Sequence, residues 1–157
     1  MSAPISAALV IDLLRMKRQT LAVAESLTGG GLGAAITAVP GASDVFLGGV
    51  IAYSTEVKES LLKVGKLEIA QYGVVSEEVA IAMADGVREL LGSTWGISTT
   101  GVAGPGAADG VPAGTVWIAI SGPVNQSTQL EVEGEREVVR KASLSSAIST
   151  FARILRP

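Results

Sequence analysis

Ser26 sits in the stretch Ala24-Glu25-Ser26-Leu27-Thr28-Gly29-Gly30-Gly31-Leu32-Gly33. Thr20 to Ala24, before it, reads as a short buried strand. Thr28 to Ala38, after it, reads as a small-residue helix ended by Val39-Pro40-Gly41. A hydroxyl at a strand-to-helix turn, followed by glycines that leave N–H groups open, suits an activated nucleophile or an anion. The chain has no histidine and no cysteine. Ser–His and Cys–His pairs are therefore absent, and a reacting Ser26 needs another base, for which a lysine is the candidate. The competing reading makes Ser26 a cap on a structural or phosphate-binding turn, and the residue types alone leave both open.

Two further groups are expected at the same crevice, because ligands of open α/β sheets bind outside the carboxyl ends of the strands. Tyr53 closes a strand and Lys58 lies in the first turn of the next helix. Lys58 can act as a base only when neutral, which requires burial or a nearby positive charge; otherwise it is a solvated helix lysine. Tyr53 is either a half-buried aromatic or a group that relays a proton or orients a substrate. The second group is the loop Thr99-Thr100-Gly101-Val102-Ala103-Gly104. Its glycines either admit backbone amides to a phosphate or simply build a tight turn. Arg136 and Arg140, one helical turn apart, are placed to grip a phosphate or to pair with Glu133 and Glu137. Gly29-x-Gly31-x-x-Ala34 loosely imitates a dinucleotide fingerprint, but the acid expected about 20 residues later is missing.

Composition narrows the field. The 157 residues, 48% hydrophobic and 17% charged, suit one folded domain over residues 1–157. A net charge of −3 gives no footprint for nucleic acid. The basic residues between Arg136 and Arg156 are accompanied by Glu133, Glu135 and Glu137. Without Cys there are no disulfides or zinc–thiolate sites, which fits a reducing cytosol. Met1 to Leu14 lacks a basic leader segment and contains Asp12, and no apolar run is long enough to span a bilayer. A cytoplasmic protein without metal or cofactor is expected.

The elements that must position these groups follow from periodicity. Ile5, Ala8, Leu9, Asp12, Leu13 and Met16 repeat as a helix over Ser6 to Lys17. Phe46 to Tyr53 reads as a strand, with Gly48-Gly49 marking a close approach or a bulge. Ser54 and Ser76 read as N-caps, the first of a helix through Leu62, the second of one whose apolar face is Val79, Ala80, Met83, Val87 and Leu90 or Leu91. Gly92 ends that helix. Val64 to Gly73 reads as a connection holding one helical turn. Trp95 to Thr100 and Thr115 to Ser121 read as strands, and Gln126 to Val132 as an edge strand forming a hairpin with the latter. Glu135 to Leu155 reads as a closing helix. Interleaved helices and strands predict an α/β fold, a three-layer α/β/α single domain with a mixed, mostly parallel sheet.

Read in order, Ala24-Glu25-Ser26-Leu27-Thr28-Gly29-Gly30, Tyr53-Ser54-Thr55-Glu56-Val57-Lys58, Gly73-Val74-Val75-Ser76-Glu77, Thr100-Gly101-Val102-Ala103-Gly104-Pro105, Gly114-Thr115-Val116-Trp117 and Gly134-Glu135-Arg136 with Arg140 resemble the CinA C-terminal domain family. The resemblance covers Ser6 to Leu155. It implies a metal-independent serine amidase that hydrolyses the carboxamide of nicotinamide mononucleotide to nicotinate mononucleotide and ammonia, salvaging a breakdown product of NAD. It implies Ser26 as nucleophile, Lys58 as base and Tyr53 beside them. Thr28, Gly29, Gly30, Thr100, Gly101, Gly104, Arg136 and Arg140 are then the expected substrate-binding residues, with Thr28 to Gly30 supplying oxyanion donors. Family members also occur fused behind another domain, and the expectation here is a stand-alone domain. A homodimer and a nucleotide substrate are the expected partners. Leu27 replaces a frequent Cys, Thr55 a frequent Asn, and Val111-Pro112-Ala113-Gly114 a frequent Lys-Pro-Val-Gly. A non-catalytic nucleotide- or partner-binding domain of the same fold is the alternative.

Overall fold

The computed structural model describes residues 6–157. Ile5, the first residue of the predicted opening face, lies outside them. In chain order the elements are α1 (Ala7–Lys17), β1 (Leu21–Glu25), α2 (Gly31–Thr37), a 3-10 turn (Ala42–Asp44), β2 (Phe46–Ile51), α3 (Thr55–Ser60), α4 (Lys66–Tyr72), α5 (Glu77–Leu91), β3 (Trp95–Gly101), β4 (Thr115–Ser121), β5 (Gln126–Glu131) and α6 (Arg136–Leu155). The sheet order is β2-β1-β3-β4-β5. β1 runs parallel to β2 and to β3, while β4 is antiparallel to β3 and to β5. Only β4 opposes the others, so the sheet is the mixed, mostly parallel one expected, with β5 at an edge.

Alternation along the strands divides the interior into two layers. Leu21, Val23, Ile97, Ile118 and Ile120 meet α1, α2 and α6 through Ile11, Leu14, Leu32, Ile36 and Phe151. Trp95 stacks edge-on against Phe151, with ring centroids 5.4 Å apart. On the other face Ala22 and Ala24 of β1 meet Leu62, Val79, Met83 and Val87, and Ala119 of β4 meets Ala80 and Ala84. Small strand residues let α5 lie close to the sheet. Both features suggested by Gly48-Gly49 are present. The register slips between Leu21 and Ala22, and a Cβ on Gly49 would stand 2.6 Å from the Val23 carbonyl oxygen.

Ser54 and Ser76 cap α3 and α5 by accepting from the N–H groups of Val57 and Val79. Leu91 packs against the interior, whereas Leu90 is exposed. Two segments differ from expectation. The connection from Val64 to Gly73 holds a helix of seven residues rather than one turn. It buries no residue, and Leu67 is 86% exposed, so no apolar period marked it. The helix after Ser26 starts at Gly31 rather than Thr28, because residues 26–30 form a separate turn.

β1, β2 and β3 are parallel, so the turns that follow them emerge at one end of the sheet. The strand order 2-1-3 makes β1 and β3 a topological switch point, the place where such sheets leave a crevice. Ser26 stands there, its N–H donating to the Thr99 carbonyl at 3.0 Å.

Candidate active site

A cleft of about 520 Å³ opens at this end of the sheet. Ser26 and Leu27 follow β1, Tyr53, Ser54, Thr55 and Lys58 follow β2, and Thr100, Gly101, Gly104, Asp109 and Arg136 complete much of its wall. The three loops expected to share one crevice do share it.

Lys58 is the single buried residue of α3 and is 3% exposed. Its Nζ lies 3.0 Å from Ser26 Oγ, 2.8 Å from the Ala52 carbonyl oxygen and 3.2 Å from the Tyr53 carbonyl oxygen. Among the described residues no carboxylate pairs with it. Burial therefore acts unopposed and lowers its pKa from 10.5 to about 8. A neutral lysine amine has two N–H groups and one lone pair. The two carbonyls can take both N–H groups, which turns the lone pair toward the Ser26 hydroxyl. That is the arrangement a general base needs.

The turn holding Ser26 is anchored from behind by Glu25. This carboxylate is 2% exposed and accepts from Thr28 Oγ1 at 2.6 Å, from Leu32 N–H at 2.7 Å and from Gly33 N–H at 3.0 Å. Thr28 Oγ1 also contacts Thr99 Oγ1 at 2.8 Å. Gly29 and Gly30 adopt φ values of 58° and 99°, which permit the chain to double back from Ser26 into α2. In the first turn of α2 the Leu32 and Gly33 amides are thus taken by the protein's own carboxylate and the Gly31 amide by the Thr28 carbonyl, so none of the three is free for a dinucleotide pyrophosphate.

The expected substrate-binding residues separate into two sets. Thr100, Gly101, Gly104 and Arg136 line the cleft; Thr28, Gly29, Gly30 and Arg140 do not. Thr28 is buried under Glu25 and Thr99, and Gly29 N–H donates to the Ser26 carbonyl. Gly30 faces a small separate groove between α2 and β2. Arg140 pairs with Glu137 and donates to the Leu27 and Thr28 carbonyls, so it fastens the serine turn from outside. Arg136 has no carboxylate partner among the described residues. It donates to the Gly104 carbonyl at 2.6 Å and to the Tyr53 hydroxyl at 3.4 Å. Tyr53 itself is 62% exposed and touches Lys58 through its main-chain carbonyl; its hydroxyl bonds to neither Lys58 nor Ser26. The Thr100 hydroxyl donates to the carbonyl of Val74, another residue of the cleft wall, at 2.9 Å.

Among the described residues, the N–H groups of Leu27, Ala103, Gly104 and Gly106 have no acceptor, and all four residues line the cleft. Leu27, with its side chain in the core, follows Ser26 directly. The sequence reading missed three participants: Glu25, the Leu27 amide and Asp109. An acid at the end of a fully apolar strand was the available signal for the first. Among the described residues, no three His, Cys, Asp or Glu side chains come together as a metal-holding group. None of their helices is long and apolar enough to cross a membrane.

Comparison with known proteins shows the family of the chain. The model of the CinA C-terminal domain matches residues 5–155. A CinA-like protein of Parasynechococcus marenigrum is 52% identical over 153 residues, 95% of this chain and 36% of that protein. One of Synechococcus is 48% identical over 147 residues, 91% of this chain and 35% of that protein. The chain therefore spans about a third of the length of these curated relatives. Among solved structures, a competence-damaged protein (CinA) superfamily protein from Klebsiella pneumoniae superposes with a TM-score of 0.91 at 32% identity, covering 95% of this chain and 94% of that one. Its counterpart from Enterobacter cloacae gives a TM-score of 0.92 at 29% identity, covering 99% and 96%. By the extent of the family match, the chain belongs to the CinA C-terminal domain family.

Proposed function

We propose that the domain is a Ser–Lys amidase that hydrolyses the carboxamide of nicotinamide mononucleotide to nicotinate mononucleotide and ammonia. The observation that carries this reading is the buried Lys58 Nζ at 3.0 Å from Ser26 Oγ, with its other two acceptors both main-chain carbonyls. Such a lysine is half neutral near pH 8 and sits where it can take the serine proton.

In the proposed reaction neutral Lys58 removes the Ser26 proton as Oγ attacks the carboxamide carbon. The Leu27 N–H, unpaired among the described residues and adjacent in sequence to Ser26 at the cleft, is suited to donate to the oxyanion. The Lys58 ammonium returns its proton to the amide nitrogen, the C–N bond breaks and ammonia leaves. Lys58, neutral again, takes a proton from water, whose oxygen attacks the acyl ester. The carboxylic acid leaves, and Ser26 recovers its proton. Tyr53 contributes its carbonyl to Lys58 and its ring to the cleft wall, with no proton relay through its hydroxyl. Arg136 and the free amides of Gly104 and Gly106 are suited to the phosphate.

Purified protein incubated with nicotinamide mononucleotide should release ammonia in a ratio of one to each nicotinate mononucleotide formed. Ser26→Ala and Lys58→Ala should abolish the release. Retained activity in either variant would refute the mechanism, and saturable binding without turnover in the unaltered protein would support a non-catalytic binding domain instead.

A further inference from the structure

Besides Lys58, two charged side chains line the cleft, Arg136 and Asp109. Among the described residues no ion pair joins Asp109 to Arg136 or to any other cation. Asp109 lies at the tip of a two-residue turn, where Ala108 and Val111 exchange N–H···O bonds of 3.0 and 2.9 Å. Asp109 has φ 51° and Gly110 has φ 76°. Such a turn needs positive φ at both central positions, which Asn, Asp and Gly all meet. Turn chemistry accounts for a short polar residue at position 109. It does not account for the negative charge, and that charge belongs to a cleft whose opposite fixed charge is Arg136.

We propose that Asp109 is a specificity-determining residue, its carboxylate favouring a substrate whose ring is cationic while Arg136 receives the anionic end. The inference rests on the amidase reading, in which the carboxamide is carried on a pyridinium ring and a phosphate lies at the far end of the ribose. A ligand of that kind has separated positive and negative charges, as the cleft does. Because Asp109 is exposed to solvent, the attraction is worth roughly threefold to tenfold in affinity.

The Ser26→Ala protein allows the ligand to be held without being consumed. Calorimetry on it compares nicotinamide mononucleotide with its reduced dihydropyridine form, which keeps the carboxamide, ribose and phosphate but has an uncharged ring. The expected result is roughly threefold to tenfold tighter binding of the charged form, diminished by added salt. Adding Asp109→Asn, which satisfies the turn, should remove that preference and leave the affinity for the reduced form unchanged. Asp109→Gly, equally suited to the turn, should agree. Equal weakening of both ligands would assign Asp109 to the ribose hydroxyls and overturn the proposal, as would no change in either or failure of both to bind. If the charged form binds as described but the unaltered protein releases no ammonia, the amidase reading falls and the charge preference stands.

Discussion

Lys58 Nζ approaches Ser26 Oγ at 3.0 Å across 32 positions of sequence, joining the turn after β1 to the helix after β2. With a pKa lowered to about 8, Lys58 is mostly protonated at pH 7. Amidase kcat/KM should therefore rise about tenfold per pH unit below that value and level off above it. Lys58→Arg keeps a charge of the same sign but removes the titration, because a guanidinium does not deprotonate in this range. Its activity should fall roughly 100- to 10,000-fold, the span of lost general-base catalysis, and its pH profile should lose the step near 8. An unchanged step in Lys58→Arg would assign the base to another group.

The same shift makes a stability prediction with a definite sign. Between about 8 and 10.5 the unfolded chain keeps the Lys58 proton and the folded chain has lost it. The unfolded state then binds more protons, so stability rises with pH across that window. Below about 8 the buried charge is a cost in the folded state. Lys58→Met lacks this titration. Urea melts at pH 7.5 and 10.5 should show the unaltered protein gaining on Lys58→Met by on the order of 3 kcal/mol. A gap that stays constant, or widens the other way, would contradict the burial of the ammonium.

Glu25 should matter more to folding than its place beside Ser26, the proposed nucleophile, suggests. It accepts three hydrogen bonds while 2% exposed, and its removal strands two main-chain donors of α2 and leaves the Thr28 hydroxyl with Thr99 as its one partner. Glu25→Ala should lower stability by on the order of 3 kcal/mol or more. Glu25→Gln, which presents an N–H₂ to donors, should recover only part of it. The urea midpoints of the two variants check the order.

Much of this architecture is legible in the sequence, for identifiable reasons. Val79, Ala80, Met83 and Val87 mark α5 because one face is buried and the other wet. The alternation of Gln126 to Val132 marks an edge strand because half its side chains meet solvent. The helix Lys66–Tyr72 escapes because it buries no residue at all. At the site, Ser26 is visible from its turn, but the burial of Lys58 is not. Its helical neighbours Thr55, Glu56 and Ser60 are exposed, and an apolar period says nothing about a lone lysine at the inner edge. Glu25 escapes because its partners are main-chain N–H groups of α2, which every sequence possesses. Thr28 and Gly29 read as ligand-binding because a glycine turn before a helix suits anions generally, and here the anion is internal.

Arg136 and Arg140 look equivalent in the sequence and should separate sharply in experiment. Both stand on α6 one turn apart, yet Arg136 reaches the Gly104 carbonyl and the cleft, while Arg140 reaches Glu137 and the carbonyls of Leu27 and Thr28. Arg136→Ala should raise KM for nicotinamide mononucleotide roughly 10- to 100-fold, the loss of one charge-assisted contact to a phosphate. It should leave thermal stability nearly unchanged, since Arg136 is exposed. The penalty should vanish for nicotinamide riboside, which has no phosphate for the guanidinium to hold. Arg140→Ala should instead lower stability by about 1–2 kcal/mol through two lost main-chain contacts. It should reduce kcat more than it raises KM, because the turn it fastens carries Ser26, the proposed nucleophile. Measuring KM and kcat for both nucleotide and riboside, with melting temperatures alongside, separates the two roles. An Arg136→Ala penalty equal for both substrates would remove Arg136 from the phosphate and leave the Gly104 and Gly106 amides as its binders.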